Sequence, residues 1–296
     1  MNLKSFIVTI VCVFTVTISF AQANILNAKS PDEIGVKTDA QILMDNDKPL
    51  EYGYVDDRDI LYSTMVWEKV VLDERINFPL YYPVDTNNIG SDRRSLFDVL
   101  MKSVKEGDIE NIYDDSYFTT KRTLKDIEAS MVLVDTTELG IEQFNAGEEL
   151  SPEYIERTEI TAAHVVEYHI KGMYYFDKRL GELRYRILGI APVVPDVNFL
   201  NDDEPDLVPL FWVFYPDARE VLHKAKAFNG KNSAIPLSFD HLLNSRRFNG
   251  YIFREENVQG DRSISEYITD NALMQLLESD RVKEKIRDFE QDMWSY

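Results

Sequence analysis

The sequence predicts an α+β fold, in which a mainly antiparallel sheet and packed helices form a single globular domain over residues 51–296. Two periodicities lead to this prediction. Apolar and polar residues alternate on both sides of a turn segment near residue 180, as in a β-hairpin, whereas other segments carry apolar residues at helical spacings of three and four. Apolar residues make up 44% of the chain, including 16 Tyr and 16 Phe, which is enough for a packed core.

The first 21 residues are predicted to be a secretory signal peptide. Lys4 gives a positive start, an apolar run extends from Phe6 to Phe20, and small residues allow cleavage after Ala21 or Ala23. The apolar run of about 15 residues is short for a membrane-spanning helix, which needs roughly 20. An uncleaved membrane anchor is the alternative.

Composition excludes several kinds of chemistry and partner. Cys12, the only cysteine, lies in the predicted signal, so the mature chain has no disulfide, cysteine nucleophile or thiolate-bound zinc. The chain has 52 acids against 32 bases, and removing the signal takes away only Lys4, which changes the net charge from −20 to −21. Phosphates of nucleic acids and anionic lipids repel such a chain. We therefore expect no nucleic-acid binding, no direct membrane insertion, and attachment to any membrane through a partner.

The N-terminal third is predicted to contain an extended arm and two helices. Residues 22–50 show no sustained period and are assigned to the arm. Asp56 and Asp57 are expected to cap the first helix, and Asn77–Pro83 is expected to be extended because proline restricts the residue before it. The apolar face of the first helix consists of Ile60, Thr64, Trp67 and Val71. The second helix, from a cap at Ser91 to Gly107, has an apolar stripe of Leu96, Val99, Leu100 and Val104.

The middle of the chain is predicted to contain a surface excursion and then the hairpin. Residues 135–159 carry eight acids and one base, with a short helix expected after Ser151-Pro152. The first hairpin strand is expected to turn Val166, Tyr168, Ile170, Tyr174 and Phe176 to the core and Glu167, His169 and Lys171 to solvent. After a turn at 177–182, Leu183, Tyr185 and Ile187 alternate with Arg184 and Arg186. These two arginines are predicted to pair across the strands with Glu167 and Lys171.

The C-terminal third is predicted to alternate between strands and helices. A strand over 208–215 is apolar on both faces and therefore expected inside the sheet. Helices over 216–228 and 240–248 precede a strand over 250–255. Ser263 and Glu266 form a predicted capping box, and the chain ends in a helix. Apolar residues at spacings of four, three and four form a narrow seam on this last helix: Val282, Ile286, Phe289 and Met293.

No catalytic, cofactor-binding or metal-binding residue is predicted. His164 and His169 lie five residues apart, whereas a zinc-protease helix needs a spacing of four. We interpret His164 as a satisfied core histidine and His169 as a solvent-facing one. The acidic loop at 201–206 lacks the glycine and distal glutamate of an EF-hand. The abundant aromatic residues and acids leave a glycan-binding module or hydrolase as the alternative function.

Several segments carry a resemblance that covers roughly residues 50–296. They are Tyr54–Ile60 with Trp67-Glu68, Asn77–Pro83, Lys171–Asp177 with Arg186–Pro192, Leu210–Pro216, and Phe248–Arg254 before Gly260–Tyr267. In this order they resemble the GldN/PorN family of gliding-motility and type IX secretion proteins of Bacteroidota.

The resemblance implies a non-enzymatic, structural subunit of the periplasmic ring of that machinery. Family members assemble with an outer-membrane lipoprotein, GldK or PorK, into a large ring under the outer membrane. The ring is thought to meet periplasmic domains of the inner-membrane motor, which includes GldM or PorM. The resemblance therefore implies self-association in a ring, a place at the inner face of the outer membrane, and a need for the protein in secretion and gliding. It implies no cofactor and no catalytic residue.

A head-to-tail ring subunit presents two different faces to its neighbours. Two sets of apolar residues are predicted to contribute to such interfaces. The first set lies in the arm and consists of Ile25, Leu26, Ile42 and Leu43. The second is the C-terminal seam of Val282, Ile286, Phe289 and Met293, for which packing on its own domain is the alternative.

Overall fold

A computed structural model describes residues 47–85, 94–146, 152–200, 205–229, 237–269 and 271–294, together with the single positions Ser30 and Leu43. The predicted signal peptide and nearly all of the predicted arm lie outside these ranges. The chain divides into two units, one comprising residues 1–48 and 85–92 and the other residues 49–84 and 93–296. The second unit holds all the strands and helices named below.

An antiparallel sheet of seven strands forms the centre of the fold, in the order β11-β1-β5-β6-β8-β2, with β7 also paired to β6. Two further strand pairs, β3 with β4 and β9 with β10, lie apart from it. The strands are β1 Ile60–Val71, β2 Ile112–Tyr113, β3 Val132–Thr136, β4 Ile155–Glu159, β5 Glu167–Asp177, β6 Glu182–Pro195, β7 Leu207–Pro209, β8 Trp212–Phe214, β9 Lys226–Ala227, β10 Leu237–Ser238 and β11 Tyr251–Glu255.

Eight helices accompany these strands within the described residues. They are α1 Phe78–Tyr81, α2 Leu96–Glu106, α3 Leu124–Met131, α4 Glu138–Asn145, α5 Tyr215–Lys224, α6 Phe239–Asn244, α7 Ile264–Tyr267 and α8 Ala272–Trp294. The structure thus confirms the predicted α+β class and its mainly antiparallel sheet.

The predicted first helix is wrong, because residues 60–71 form β1 instead. This segment is rich in β-branched and aromatic residues, which favour strands over helices. β1 is also hydrogen-bonded on both sides, to β5 and to β11, so each of its edges is paired. The helical spacing of Ile60, Thr64, Trp67 and Val71 is therefore incidental.

The predicted hairpin is confirmed as β5 and β6, with its turn between Asp177 and Glu182. Its cross-strand prediction is wrong. The register places Arg184 opposite Tyr175 and Arg186 opposite Met173, so neither arginine lies opposite Glu167 or Lys171. The strands are longer than the sequence pattern indicated, and Glu167 pairs with Val193 far from the turn.

One face of the sheet carries the main core and the helices. Tyr168, Ile170 and Ile190 on this face are buried together with residues of α2, α5 and α6. Helix α2 confirms the predicted second helix and ends at Gly107, whose positive φ of 83° suits glycine. Its N-cap is Ser95, whose Oγ accepts from the Asp98 N–H, instead of the predicted Ser91, which lies outside the described residues.

The opposite face of the sheet is not the solvent face that the alternation indicated. Glu167 and Lys171 on this face are buried, and the side chain of His169 is only 14% exposed. Trp67, Ala191 and Trp212 form a second apolar cluster there. The alternation of apolar and polar residues along a strand assigns side chains to two faces. Whether the second face is covered depends on loops elsewhere in the chain.

Several boundaries also differ from prediction. The 208–215 segment forms two short strands, β7 and β8, that both pair with β6. Helix α5 ends at Lys224, four residues early, and α6 spans 239–244. Pro79 stands in the first turn of α1, where a missing N–H costs nothing, so this part of 77–83 is helical. The capping box of Ser263 and Glu266 is confirmed at α7.

Candidate interaction surfaces

Neither predicted histidine has a ligand-binding arrangement. His164 lies in a 3-10 turn, and its Nδ1 accepts from the Thr161 N–H at 3.0 Å. His169 lies on β5 and bonds through Nε2 to Glu167 Oε1 at 2.8 Å, so it is a buried, satisfied side chain and not the predicted solvent residue. Burial lowers the pKa of His169, although the Glu167 carboxylate opposes this shift. Across the described ranges, no three His, Cys, Asp or Glu side chains are grouped as metal ligands would be.

A buried lysine fastens a loop to the second face of the sheet. The Lys171 Nζ lies 4.9 Å from the Trp67 ring centroid and 4.7 Å from that of Tyr117, and it donates to the Ser116 carbonyl at 2.9 Å. Burial lowers the pKa of Lys171. These contacts hold the 114–120 loop, through Tyr117 and Ser116, close to the ring of Trp67. Lys171 therefore has a structural role.

The same loop is ordered by Asp115. Its carboxylate accepts from the N–H groups of Tyr117 at 2.7 Å and Thr120 at 3.0 Å, and from the Thr119 hydroxyl at 2.6 Å. Burial alone would raise the pKa of Asp115, but the hydrogen bonds from Thr119, Thr120 and Tyr117 outweigh it and lower the pKa to about 2. Asp115 is thus a loop-organising residue.

Three arginines fix the segment that follows the predicted arm. Arg219 donates to the Leu50 carbonyl at 2.5 Å, Arg186 to that of Gly53 at 2.9 Å and Arg179 to that of Tyr54 at 3.0 Å.

A tyrosine side chain adds to these contacts. The ring centroid of Tyr52 lies 4.0 Å from the Arg219 guanidinium, and the Tyr52 hydroxyl donates to Asn244 at 2.7 Å. Arg219 is itself held by Asp240, with Nε to Oδ1 at 3.0 Å. We call residues 50–54 the anchored segment. Its backbone is thus held to the domain at three carbonyl groups.

The C-terminal seam lies against the sheet of its own chain. Val282 and Ile286 are buried with Val66 and Ile252. The ring of Phe289 stacks on Tyr62 with centroids 4.1 Å apart, and Met293 is partly exposed. Val282 and Ile286 therefore pack on their own domain, which is the alternative given for the seam. Their side chains are inaccessible to a partner while α8 stays on the sheet.

Of the predicted arm residues, only Leu43 belongs to the described part of the chain, and its side chain is 86% exposed. Ile25, Leu26 and Ile42 lie outside it. The arm set and the C-terminal seam therefore stay two separate interface predictions.

An apolar groove at the start of α8 was missed by the sequence reasoning. It has a volume of about 330 Å³ and is lined by Ile252, Phe253, Ile264, Ala272 and Leu276, among others. Exposed apolar side chains continue from its rim along the first two turns of α8: Leu273, Met274 and Leu277. The run Ala272–Leu277 is visible in the sequence, but its exposure depends on where the rest of α8 is buried.

Comparison with known families identifies the chain. The family model described as "Gliding motility associated protein GldN" matches residues 55–295. The chain belongs to the GldN family. This family is associated with gliding motility and type IX secretion, a cell-envelope secretion machinery, and is not known as an enzyme family. A search among curated proteins finds no match.

The match begins at residue 55, directly after the anchored segment. It covers the whole sheet and all eight described helices. Within the described residues, none of the helices has the length and apolar character needed to cross a bilayer. Membership of a secretion-machinery family implies partners in a complex, so surfaces rather than a catalytic cleft are the features to consider.

Proposed function

We propose that this chain is a non-enzymatic structural subunit of the periplasmic ring of the type IX secretion and gliding machinery. In this role it binds an outer-membrane lipoprotein of the GldK/PorK type and neighbouring copies of itself, and it contacts periplasmic domains of a GldM/PorM-like motor. The observation that carries the proposal is the family match over 55–295, which includes the whole sheet.

The location follows from the same proposal. A signal peptide at residues 1–21 directs export, and the lipoprotein partner holds the mature chain at the inner face of the outer membrane. The net charge of −20 supports attachment through a protein, because anionic lipid headgroups repel a strongly acidic chain.

The predicted arm is proposed to contact a neighbouring subunit through Ile25, Leu26, Ile42 and Leu43. The anchored segment at 50–54 supports this role, because a chain segment that starts from a fixed point needs less ordering to reach a partner. Leu43, the described member of the set, has its side chain in solvent.

The decisive experiment is co-purification of the mature chain, from Gln22, with the GldK/PorK-type lipoprotein, followed by electron microscopy. Rings that contain both chains are expected. A chain that stays monomeric and does not bind the lipoprotein would refute the proposal and return attention to glycan binding.

The arm is tested with a truncation that removes residues 22–46 and keeps the anchored segment. We expect this variant to fold normally and to lose ring assembly. The matched control replaces residues 22–46 by a Gly/Ser segment of equal length, which keeps reach but not side chains. Normal ring assembly by the truncated chain would show that the arm makes no required contact.

A further inference from the structure

The strand pair β3–β4, with helix α4 between its strands in the chain, stands outside the main sheet. Met131 and Ile160 flank the same end of the strand pair, both are buried, and the Ile160 N–H donates to the Met131 carbonyl at 2.8 Å. Leu133 packs against the main core. We call the exposed side chains of the described residues 134–146 and 152–156 the outlying surface.

Helix α4 presents apolar side chains to water. Leu139 is 62% exposed, Ile141 is 49% exposed and Phe144 is 70% exposed, whereas the buried position on this helix is Gly140. A surface helix normally turns its large apolar residues inward. Ile141 and Phe144 are also three residues apart and therefore neighbours on one face. This inverted arrangement is typical of a helix that completes its packing against another molecule.

The strand pair that flanks α4 in the chain also exposes apolar side chains. Val134 lies opposite Arg157, and Thr136 opposite Ile155, so Val134 and Ile155 are diagonal neighbours on the face opposite Leu133. Both are exposed, at 61% and 40%. Strand β3 also contacts the 3-10 turn Val197–Phe199, whose Phe199 is half exposed. The exposed apolar side chains are thus not isolated but belong to adjoining elements.

The charge around this surface determines what kind of partner fits it. The sequence over 132–159 has eight acids and one base. Among the described side chains of this stretch, the exposed acids are Asp135, Glu153, Glu156 and Glu159, and Arg157 Nη2 lies 3.8 Å from Glu159 Oε2. Asp135 and Glu156 are paired directly across β3 and β4, and both are exposed. Like charges directly opposite each other destabilise a strand pair. A cationic partner would relieve this repulsion, whereas the same surface of a second acidic copy would increase it.

We infer that the outlying surface is the docking site for a protein partner whose own surface is apolar and bordered by Lys and Arg. This inference rests on the proposed function, and it assigns the lipoprotein to this surface. The apolar side chains of α4 supply the buried centre of the interface, and the acids supply charge complementarity at its rim.

The experiment measures binding of the full mature chain to the soluble periplasmic domain of the GldK/PorK-type lipoprotein by titration calorimetry. One variant combines Leu139→Ser and Phe144→Ser, which removes the apolar centre. Loss of central interface side chains is expected to weaken binding about tenfold or more. The matched control combines Leu180→Ser and Val258→Ser, two exposed apolar positions elsewhere, and should bind like the wild type.

A second variant, Glu153→Lys with Glu156→Lys, tests the charge. Its binding should be weaker and should depend less on salt than that of the wild type, since fewer opposite charges are screened. The control, Asp280→Lys with Glu284→Lys, reverses two exposed acids of α8 and should retain the wild-type salt dependence.

The outcomes separate this inference from the proposed function. Absence of any binding by the wild-type chain would overturn the proposed function and the choice of partner together. Normal wild-type binding with no loss in either variant would overturn only the docking site. Loss of self-association in the apolar variant, with lipoprotein binding intact, would assign the surface to a second copy and would also overturn the inference.

Discussion

At the scale of single residues, a buried carboxylate is paired with an arginine from a distant part of the chain. Glu68 is fully buried on β1 and accepts from Arg246 Nη2 at 2.8 and 3.0 Å. The Arg246 guanidinium lies 4.3 Å from the Tyr185 ring centroid. Burial would lower the pKa of Arg246, but the Glu68 carboxylate outweighs this effect and raises the pKa, so Arg246 keeps its charge in the folded protein.

This pair gives the first prediction. Glu68→Gln should reduce the free energy of unfolding by about 3 kcal/mol, because removing one partner leaves a buried charge uncompensated. Urea denaturation measures the change. Glu182→Gln is the control, since Glu182 pairs with Arg184 at the surface and its loss should have little effect. Equal stability of Glu68→Gln and the wild type would show that the buried pair contributes nothing net.

The second prediction concerns pH and Asp115. Its pKa in the folded protein is about 2, below the unfolded value of about 3.9, so its contribution to stability is present above pH 4 and is lost as the pH falls toward 2. The difference in unfolding free energy between the wild type and Asp115→Asn should therefore be largest above pH 4 and close toward pH 2. Denaturation curves between pH 2 and 6 provide the measurement. A difference that stays constant over this range would exclude the proposed hydrogen-bonded carboxylate.

Gly172 gives a third residue-level prediction. A Cβ at this position would lie 2.2 to 2.4 Å from the Tyr185 hydroxyl and ring atoms. Gly172→Ala should therefore destabilise the fold by about 1–3 kcal/mol, as overpacked substitutions do. In a Tyr185→Ala background the same substitution should cost much less, and a double-mutant cycle measures this coupling. Additive effects would indicate that the ring moves aside freely.

At the scale of elements, helix α8 covers one edge of the sheet and also packs against its apolar residues. The Ser279 hydroxyl accepts from the Ile252 N–H at 2.8 Å, which occupies a donor of edge strand β11. Val282 and Ile286 bury the adjoining apolar surface. Sheet edges are otherwise open to pairing with other chains, so docking of α8 protects β11.

The fourth prediction separates the two interpretations of the C-terminal seam. Ile286→Ala should cost about 2–5 kcal/mol of stability, because Ile286 is only 3% exposed, whereas Leu277→Ala, at a 53% exposed position, should cost little. Thermal or urea unfolding of both variants distinguishes them. If Ile286→Ala keeps full stability and loses partner binding instead, the seam is an interface and not part of the core.

At the scale of the whole molecule, the fold combines a well-packed sheet domain with exposed apolar surfaces at separate places. The groove beside α8 and the outlying surface on α4 both expose large apolar side chains. A ring subunit with different neighbours needs more than one such surface, since head-to-tail contacts use two unlike faces.

The fifth prediction is made at this scale. A clean deletion of the gene should abolish both export of cargo and surface motility, and expression of the wild-type chain should restore both. Secretion assays on culture supernatants and motility assays on agar measure the result. Intact secretion and motility in the deletion strain would refute the proposed role in the machinery.

The sequence by itself determined the features that depend on local pattern. The hairpin of β5 and β6, helix α2 with Gly107 at its end, and the capping box at Ser263 all follow from neighbouring residues. The family resemblance followed from ordered segments over roughly 50–296, and the family match over 55–295 confirms it. The assignment of 60–71 failed because a helical spacing also occurs in this β-rich segment, and only pairing with β5 and β11 decides its conformation.

Tertiary structure alone decided which faces are covered. Glu167 and Lys171 alternate like solvent residues, yet both are buried, and Lys171 is covered by the 114–120 loop and the ring of Trp67. Leu139 and Phe144 are large apolar residues, yet both are exposed, whereas Gly140 on the same helix is buried. Burial is a property of what lies opposite a side chain, and those neighbours come from sequence positions that no local period can identify.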